Sequence, residues 1–294
     1  MRKTLIDLRP LFRLISPASV AEQRPGLATG IKAVIEDRER GQYRMSSHMQ
    51  IAAEVTEPAC PESDIYNALL SLDDCNIVEL GCGAAELTRE IATGGKNRSI
   101  LALEVDEIQH AKNLQIKDLP NVRFELGGAQ AIPAADDTVD CIFMFKSLHH
   151  VPLELMADSL LEIRRVLKPG AYAYISEPVF AGDFNDVLRL FHDEQAVRAA
   201  AFSALQSMQE SGQLELAREI FFNTSIEFSD FDDFEKRVIQ ATHSDHRLSA
   251  DMYRQVQKRF AGRMTENGGR FTIPIRVDLL RKPAPDASGL HSVT

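Results

Sequence analysis

Residues 76–88 constrain the fold more than any other stretch of this 294-residue chain. A short, mostly apolar strand pattern comes first, and Gly81 and Gly83 follow it directly. Leu87 and Ile91 then recur one turn apart, which predicts a helix. Glycines at such a junction let the backbone turn sharply and bring its N–H groups close to a ligand at the open end of the helix. The stretch therefore predicts a ligand-binding loop in an α/β fold.

The segment at 78–83, Val-Glu-Leu-Gly-Cys-Gly, resembles motif I of the class I S-adenosylmethionine-dependent methyltransferases. A Rossmann-type loop that serves another nucleotide is the alternative, because a dinucleotide fingerprint also begins with Gly-x-Gly. The third glycine of that fingerprint is absent here, which favours the methyltransferase interpretation. The resemblance assigns four residues of the loop to the cofactor: Glu79, Gly81, Cys82 and Gly83.

The resemblance also implies an architecture, a Rossmann-like, seven-stranded and mostly parallel sheet whose last strand is antiparallel. An N-terminal helical lid is expected at 1–60 and the cofactor-binding α/β core at 61–180. A helical insertion after the fifth strand is expected at 181–218, and the C-terminal strands and helices at 219–281. Residues 282–294, which contain prolines and small polar residues, are expected to form a flexible tail.

The second predicted strand, at 99–106, ends in two candidates for the carboxylate that binds the ribose hydroxyls of the cofactor. Glu104 follows the small residue Ala102, which matches the family pattern, whereas Asp106 fits if the strand is longer. Asp106 is also suited to cap the helix that begins near Glu107. We favour Glu104 and keep Asp106 as the alternative.

After the third predicted strand, residues 127–133 resemble the adenine-binding turn of the family. Gly128 stands where an aspartate commonly binds the adenine amino group, so this chain departs from the family pattern. The backbone N–H groups of Ala129 and Gln130 remain suited to contact the ring, because only proline lacks such a group. The Gln130 side chain is a candidate substitute for the aspartate.

The fourth predicted strand ends at Phe145, and ligands of an open parallel sheet bind beyond the carboxyl ends of its strands. Phe145 is therefore expected beside the cofactor, and Lys146 at the reaction centre. An ammonium next to a cationic sulfonium is unfavourable unless an anion lies between them. We expect this anion to come from the acceptor or from a neighbouring acid such as Glu79. A solvated lysine at the mouth of the crevice is the alternative.

Two adjacent histidines, His149 and His150, are candidates for a general base, which methyl transfer needs only when the acceptor must lose a proton. A structural role for at least one of them is the alternative. Amide-nitrogen and nucleic-acid amine methylases of this fold usually carry an acidic or asparagine residue followed by Pro-Pro-aromatic at the end of this strand. The absence of that motif here argues against those acceptors.

Composition narrows the class of protein further. A formal net charge of −10 disfavours nucleic acid as a partner, and no apolar run reaches membrane-spanning length. The four cysteines show no Cys-x-x-Cys spacing, so we expect reduced thiols, no metal and a cytoplasmic location.

These patterns predict an enzyme of class EC 2.1.1.- that transfers a methyl group from S-adenosyl-L-methionine by direct displacement. The acceptor is expected to be a small or medium-sized molecule, methylated at oxygen, nitrogen or carbon. Three alternatives remain: a tRNA or protein methyltransferase, a family member that uses a modified cofactor, and a non-catalytic binding module. The acceptor and the oligomeric state are left open.

Overall fold

An eight-stranded sheet forms the centre of the protein in the computed structural model, which describes residues 49–56, 58–240 and 248–284. The strands follow one another along the chain as β1 Asn76–Leu80, β2 Ser99–Glu104, β3 Val122–Leu126, β4 Val139–Phe145, β5 Leu167–Pro178, β6 Glu215–Phe228, β7 Met264–Thr265 and β8 Gly268–Arg281. In space their order is β3-β2-β1-β4-β5-β8-β6, with β7 paired to β8.

Helices connect most of these strands and cover both faces of the sheet. In chain order they are α1 Glu62–Leu69, α2 Glu86–Thr93, α3 Glu107–Asn113, α4 Leu153–Val166, α5 Asp183–Leu188, α6 Gln195–Glu210, α7 Phe231–Phe234 and α8 Ala250–Ala261. A 3₁₀ turn at Leu148–His150 follows β4, and a π-helical turn at Glu235–Ile239 extends α7. No helix in the described parts of the chain combines the length and the apolar composition needed to cross a bilayer.

The strand directions confirm the predicted fold class. Strands β1 to β5 pair in parallel, and β8 pairs antiparallel with both β5 and β6. Leu80 lies opposite Leu103, so β1 and β2 end side by side. Strands β1, β2 and β4 are nearly continuous apolar runs, as expected when both faces are covered, whereas the edge strand β3 alternates apolar and charged residues. The carboxyl ends of β1, β2 and β4 therefore meet at one edge of the sheet.

Alternate residues of the strands supply two separate hydrophobic cores. One face carries an aromatic group under α1, in which the Phe143 ring lies 5.4 Å from Tyr66, 5.1 Å from Phe145 and 5.5 Å from Tyr174, measured between centroids. On the other face, the side chains of β4 pack against the apolar stripe of α4 and against Phe202 of α6. Both cores are buried, so the sheet is the shared wall between two layers of helices.

The prediction of a helical insertion at 181–218 extends too far. Two helices, α5 and α6, do follow β5, but β6 already begins at Glu215, inside the predicted range. Glu215 and Leu216 pair with Arg281 and Leu280 at the end of β8, and a register shift between Leu216 and Arg218 interrupts the alternation there. This irregularity weakens the strand pattern at the start of β6.

The lid expected at 1–60 falls mainly outside the described residues, and so does the expected tail beyond residue 284. The part that is described, from residue 49, runs along β6 and β8. Gln50 N–H donates to Glu219 at 2.7 Å, and Asn223 Nδ2 donates to the carbonyl of Val55 at 3.1 Å. This segment therefore covers the sheet beside the carboxyl end of β5.

The aromatic group predicts a large effect of truncating its central ring. We expect Phe143→Ala to lower the free energy of unfolding by about 3–5 kcal/mol, because the ring is fully buried and the change leaves a cavity. Urea unfolding measures this effect. The control is Leu161→Ala, since 46% of Leu161 is exposed and its loss should change stability by no more than about 0.5 kcal/mol. Equal effects of the two substitutions would contradict the packing described here.

Candidate functional site

The loop after β1 turns sharply because every second residue from 81 to 85 has a positive φ angle. The φ angles are +75° at Gly81, +54° at Gly83 and +63° at Ala85, which precedes α2. The N–H groups of Gly81 and Cys82 both donate to the Leu103 carbonyl at 2.9 Å. The loop is thus fixed to the end of β2, with the N-terminus of α2 open behind it.

Glu104, the last residue of β2, is held by three backbone N–H groups. Gly83 donates to Oε2 at 2.8 Å, while Val105 and Asp106 donate to Oε1 at 2.8 and 2.9 Å. Asp106 has a different role, because its Oδ1 accepts from Ile108 and Gln109 as the N-cap of α3. Of the two predicted acids, Glu104 therefore lies against the glycine loop and Asp106 serves the helix.

Exposed apolar side chains flank Glu104, a feature that the sequence reasoning missed. Val105 is 50% exposed, Ile108 64% and Leu126 51%. Glu104 and Leu126 are direct partners across β2 and β3, so these side chains lie around one carboxylate. The signal available in the sequence was an apolar residue directly after each of two strand-end acids, Glu104 and Glu125. Such a surface suits a flat, weakly polar ring next to a hydroxyl-bearing sugar.

The turn after β3 brings Gln130 back over Gly128. A Cβ atom added to Gly128 would lie 2.3 Å from Gln130 Oε1, so the glutamine amide fills the space that a longer residue at 128 would need. Ala129 is buried between them. The contact lies within the turn, so the role of Gln130 as a substitute for the aspartate stays a prediction.

At the end of β4 the Phe145 ring is not exposed, and the backbone of the next residue, Lys146, is strained. Phe145 is buried, and its ring packs in the aromatic group described above. Lys146 follows with a φ of +50°, which costs a residue other than glycine on the order of 1–3 kcal/mol. Its N–H donates to the Ser176 carbonyl at 2.7 Å, which holds this conformation.

Lys146 is buried and forms an ion pair with Glu62, at the start of α1. The Tyr174 hydroxyl also donates to this carboxylate, at 3.5 Å. An anion therefore does accompany the lysine, as expected, but it is Glu62 and not Glu79. The expectation of a solvated lysine is wrong, since Lys146 is only 4% exposed.

Glu79 points from β1 into the protein below the loop. Its Oε2 accepts from the Thr88 hydroxyl at 2.6 Å, and it is 2% exposed. Burial, together with the charges of Glu104 and Glu62, raises the pKa of Glu79 to about 8. Glu79 is therefore mainly protonated at pH 7.

The two candidate histidines differ in their surroundings. His149 is fully buried, with Nδ1 bonded to Glu177 and Nε2 3.6 Å from Glu194. Burial alone would lower its pKa, but Glu177 and Glu194 outweigh this effect and raise the pKa to about 9. His150 is half-buried, and its ring centroid lies 4.0 Å from that of His149. This enclosure favours a positioning role for His149 and leaves His150 as the better placed base.

Glu194 is a site residue that sequence reasoning missed. It lies just before α6 and is 3% exposed. Its carboxylate accepts from Arg198 at 2.6 Å and from His192 at 3.1 Å. Burial would raise its pKa, but His149, His192 and Arg198 hold it well below the usual range. No local spacing links it to His149, 45 positions earlier in the sequence.

A second buried ion pair lies on the same face of the sheet, where Arg276 Nε is 2.8 Å from Asp278 Oδ2. Arg276 is opposite Glu177 in the register of β5 and β8, and it stacks over Phe202 with 4.6 Å between the guanidinium carbon and the ring centroid. Burial raises the pKa of Asp278 to about 6 despite the adjacent guanidinium. Polar groups therefore line the sheet beyond the histidines.

Comparison with known proteins identifies the central part of the chain. Residues 77–170 match the sequence profile of a methyltransferase domain family. An uncharacterized methyltransferase of Bacillus subtilis, YcgJ, is 29% identical over 144 residues, which cover 45% of this chain and 55% of that protein. Methyltransferase GfsG of Streptomyces halstedii is 33% identical over 118 residues, 38% of this chain and 40% of that protein. The chain thus spans less than two thirds of the length of each of these relatives.

The solved structure of the same Bacillus subtilis protein, YcgJ, has a similar fold. It aligns with a TM-score of 0.50 at 18% identity and covers 73% of this chain and 94% of that chain. This likeness supports the fold class. The range matched by the family profile, residues 77–170, contains the glycine loop, Glu104 and the histidine pair.

The raised pKa of Glu79 predicts a dependence of stability on pH. In the unfolded chain this carboxyl ionises near pH 4.5, whereas in the folded protein it keeps its proton up to about pH 8. Its contribution to stability is therefore complete below pH 4.5 and is lost as the pH rises to about 8, by up to about 1.4 kcal/mol per pH unit. We expect Glu79→Gln to remove this component, because glutamine stays neutral and can still accept from Thr88.

The measurement is urea unfolding of both proteins at several pH values. The stability of Glu79→Gln relative to the wild type should rise between pH 5 and 8 and then level off. The groups that face Glu79, namely Thr88, Glu104 and the Glu62–Lys146 pair, are unchanged in the variant. A difference that is constant with pH would contradict the shift.

The Glu62–Lys146 pair predicts strong coupling between its two partners. Lys146→Met leaves the Glu62 carboxylate buried without its ammonium and should lower stability by about 3–5 kcal/mol. Adding Glu62→Gln should recover part of that loss, which a double-mutant cycle measured by urea unfolding detects. The control cycle uses Arg254 and Asp251, an exposed pair on α8 with coupling of at most about 0.5 kcal/mol. Equal coupling in both cycles would contradict a buried ion pair.

Proposed function

We propose that this chain, which belongs to the class I S-adenosylmethionine-dependent methyltransferases through its domain at residues 77–170, methylates a small or medium-sized acceptor. The proposal rests on one observation, the hydrogen bond between the glycine loop and Glu104. The Gly83 N–H bonded to the Glu104 carboxylate brings together the two groups that an adenosyl cofactor needs at the ends of neighbouring parallel strands.

The residues at this edge of the sheet fit S-adenosylmethionine. Glu104 is 1% exposed and accepts from three backbone N–H groups, and the remaining lone pairs of its carboxylate are those we assign to the ribose hydroxyls. The exposed side chains of Val105 and Leu126 offer an apolar surface for the adenine. The amide of Gln130, folded over Gly128, offers the polar contact to the ring. A loop that lacks the third glycine of a dinucleotide fingerprint fits this cofactor better than a dinucleotide.

S-adenosylmethionine, when bound, supplies an electrophilic methyl group on a cationic sulfur. The protein's part is to align the acceptor and to exclude water, because a direct displacement depends mainly on position. The neutral Glu79 and the internally paired Lys146 support this role, because neither adds an uncompensated charge beneath the loop. His150, half-buried beside the end of β4, is the group we assign to accept a proton when the acceptor has to lose one.

The acceptor side is enclosed, which supports a small substrate over a macromolecule. The 3₁₀ turn, α6 and the segment from residue 49 surround the carboxyl end of β5, and Arg276 Nη1 donates to the Ile51 carbonyl at 3.4 Å across this region. The excess of acidic residues further disfavours a nucleic-acid acceptor. The polar pair of Arg276 and Asp278 suits an acceptor that carries hydrogen-bonding groups.

The assignment of Glu104 predicts the effect of replacing its carboxylate with an amide. We expect Glu104→Gln to weaken the binding of S-adenosylmethionine roughly 10- to 100-fold, because hydrogen bonds to a charged group are worth about 1.5–3 kcal/mol. Isothermal titration calorimetry of the full chain measures this affinity, with S-adenosylhomocysteine as a second ligand and NADH as the negative control.

The matched control is Asp106→Asn, an acid-to-amide change two residues away. Asparagine caps a helix about as well as aspartate, so the affinity should change by no more than about twofold. Equal losses in both variants would count against the role of Glu104. Tight binding of NADH without S-adenosylmethionine would overturn the proposed function. Incubation with methyl-labelled cofactor and a small-molecule extract then identifies the acceptor.

A further inference from the structure

Three side chains of the kind that bind transition metals converge beside the carboxyl end of β5. His149 and His150 come from the 3₁₀ turn after β4, and Glu194 comes from the residue before α6. One ligand atom from each, two imidazole nitrogens and a carboxylate oxygen, lie within 4.8 Å of one another. Two histidines and a carboxylate are a ligand set used by zinc and by iron(II).

The orientation of His149 is fixed in the way that metal-binding histidines are fixed. Its Nδ1 is bonded to the Glu177 carboxylate, so the opposite nitrogen, Nε2, is directed at the cluster. Glu177 is itself held, because its Oε1 accepts from the Leu148 N–H at 2.9 Å. Within the described parts of the chain, His149 Nε2 is fully buried and has no hydrogen-bond partner. A buried, oriented and unsatisfied nitrogen points to a ligand.

The spacing between His149 and Glu194 fits a shared cation better than a direct bond. Nε2 and Oε1 are 3.6 Å apart, which is longer than a good N–H···O hydrogen bond. Two atoms bound to one tetrahedral zinc at about 2.0–2.2 Å lie about 3.3–3.5 Å apart. The observed separation therefore requires only a small adjustment to admit the ion.

The surrounding charges favour a cation at this point. Glu177 lies on the Nδ1 side of His149 and Glu194 on the Nε2 side, and both carboxylates are buried. Arg198 contacts one oxygen of Glu194, Oε2, at 2.6 Å. The other oxygen, Oε1, lies 3.1 Å from His192 Nε2 and 3.6 Å from His149 Nε2.

We propose that His149, His150 and Glu194 form a binding site for one divalent transition-metal ion, with zinc as the representative ion. The two imidazoles select against magnesium and calcium, which prefer oxygen ligands. Three protein ligands leave one tetrahedral position for water or for an oxygen or nitrogen of an acceptor. Zinc is tested without the methyl donor, so a failure of the proposed methyl transfer does not decide the test; while zinc occupies His150, this side chain cannot also accept the proton that the proposed function assigns to it.

The experiment uses the full chain, prepared without a histidine tag and dialysed against a chelator. Titration with zinc followed by calorimetry should give one equivalent bound with a dissociation constant of about 1 µM or below. Cobalt(II) should give the absorption of a four-coordinate ion, and magnesium at the same concentration should give no binding heat. No stoichiometric binding of zinc to the wild type would overturn the proposal.

Variants then assign the ion to these residues. His150→Ala and Glu194→Gln should each weaken zinc binding at least about 10-fold. The matched control is His110→Ala, which removes a histidine from α3 and should leave the affinity unchanged. Unaltered affinity in His150→Ala and Glu194→Gln, with circular dichroism showing both folded, would place the ion elsewhere and overturn the site.

A measurement on the wild type alone covers the case in which a variant fails to fold. X-ray absorption at the zinc edge should show nitrogen and oxygen ligands, with the multiple scattering of two imidazoles. Sulfur in the first shell would assign the ion to one of the four cysteines and overturn the proposal.

Discussion

The carbonyl of Leu103 is the point on which the candidate site depends. By accepting the N–H groups of both Gly81 and Cys82, it joins the loop after β1 to the end of β2. The parallel pairing of Leu80 with Leu103 sets the register of the two strands. As a consequence, the Gly83 N–H in the loop reaches the carboxylate of Glu104, the residue after Leu103. A slip of one residue between these strands would turn Glu104 to the other face of the sheet and separate it from the loop. The geometry of the cofactor site thus follows from backbone pairing, and the side chains complete it.

At the candidate site, the buried ionisable side chains are paired or neutral on each face of the sheet separately. On the face under α1, Lys146 is paired with Glu62, and Glu79 remains neutral through burial. On the face under α6, buried acids and bases alternate around His149 and again at Arg276 and Asp278. Buried pairs of this kind add little to stability compared with apolar packing, but they are costly to break. Their concentration at the carboxyl ends of the strands therefore favours a functional origin over a purely structural one.

Local sequence patterns predicted most of the strands and helices. They did not predict the side-chain contacts between residues that are far apart in the chain. The glycine loop and the N-cap of Asp106 follow from features within a few residues, whereas the antiparallel last strand was expected from the family resemblance. The partner of Lys146 is 84 positions away, and periodicity carries no information on such a contact. The grouping of Glu194 with the two histidines could not be predicted for the same reason, because it arises only through the packing of α6. The early start of β6 was hidden because its bulge interrupts the alternation of a strand.

The position of β8 has a consequence for how the sheet is assembled. Residues 268–281 are inserted between β5 and β6, although both of those strands precede them in the chain. Until β8 is made, the edge of β5 is an open row of unpaired backbone groups, and β6 has no strand beside it. During synthesis, the half of the molecule from β1 to β5 can pair first, while the enclosure around the histidines waits for a strand made about ninety residues after β5, on the order of several seconds later. The two halves of the sheet would therefore mature at different times.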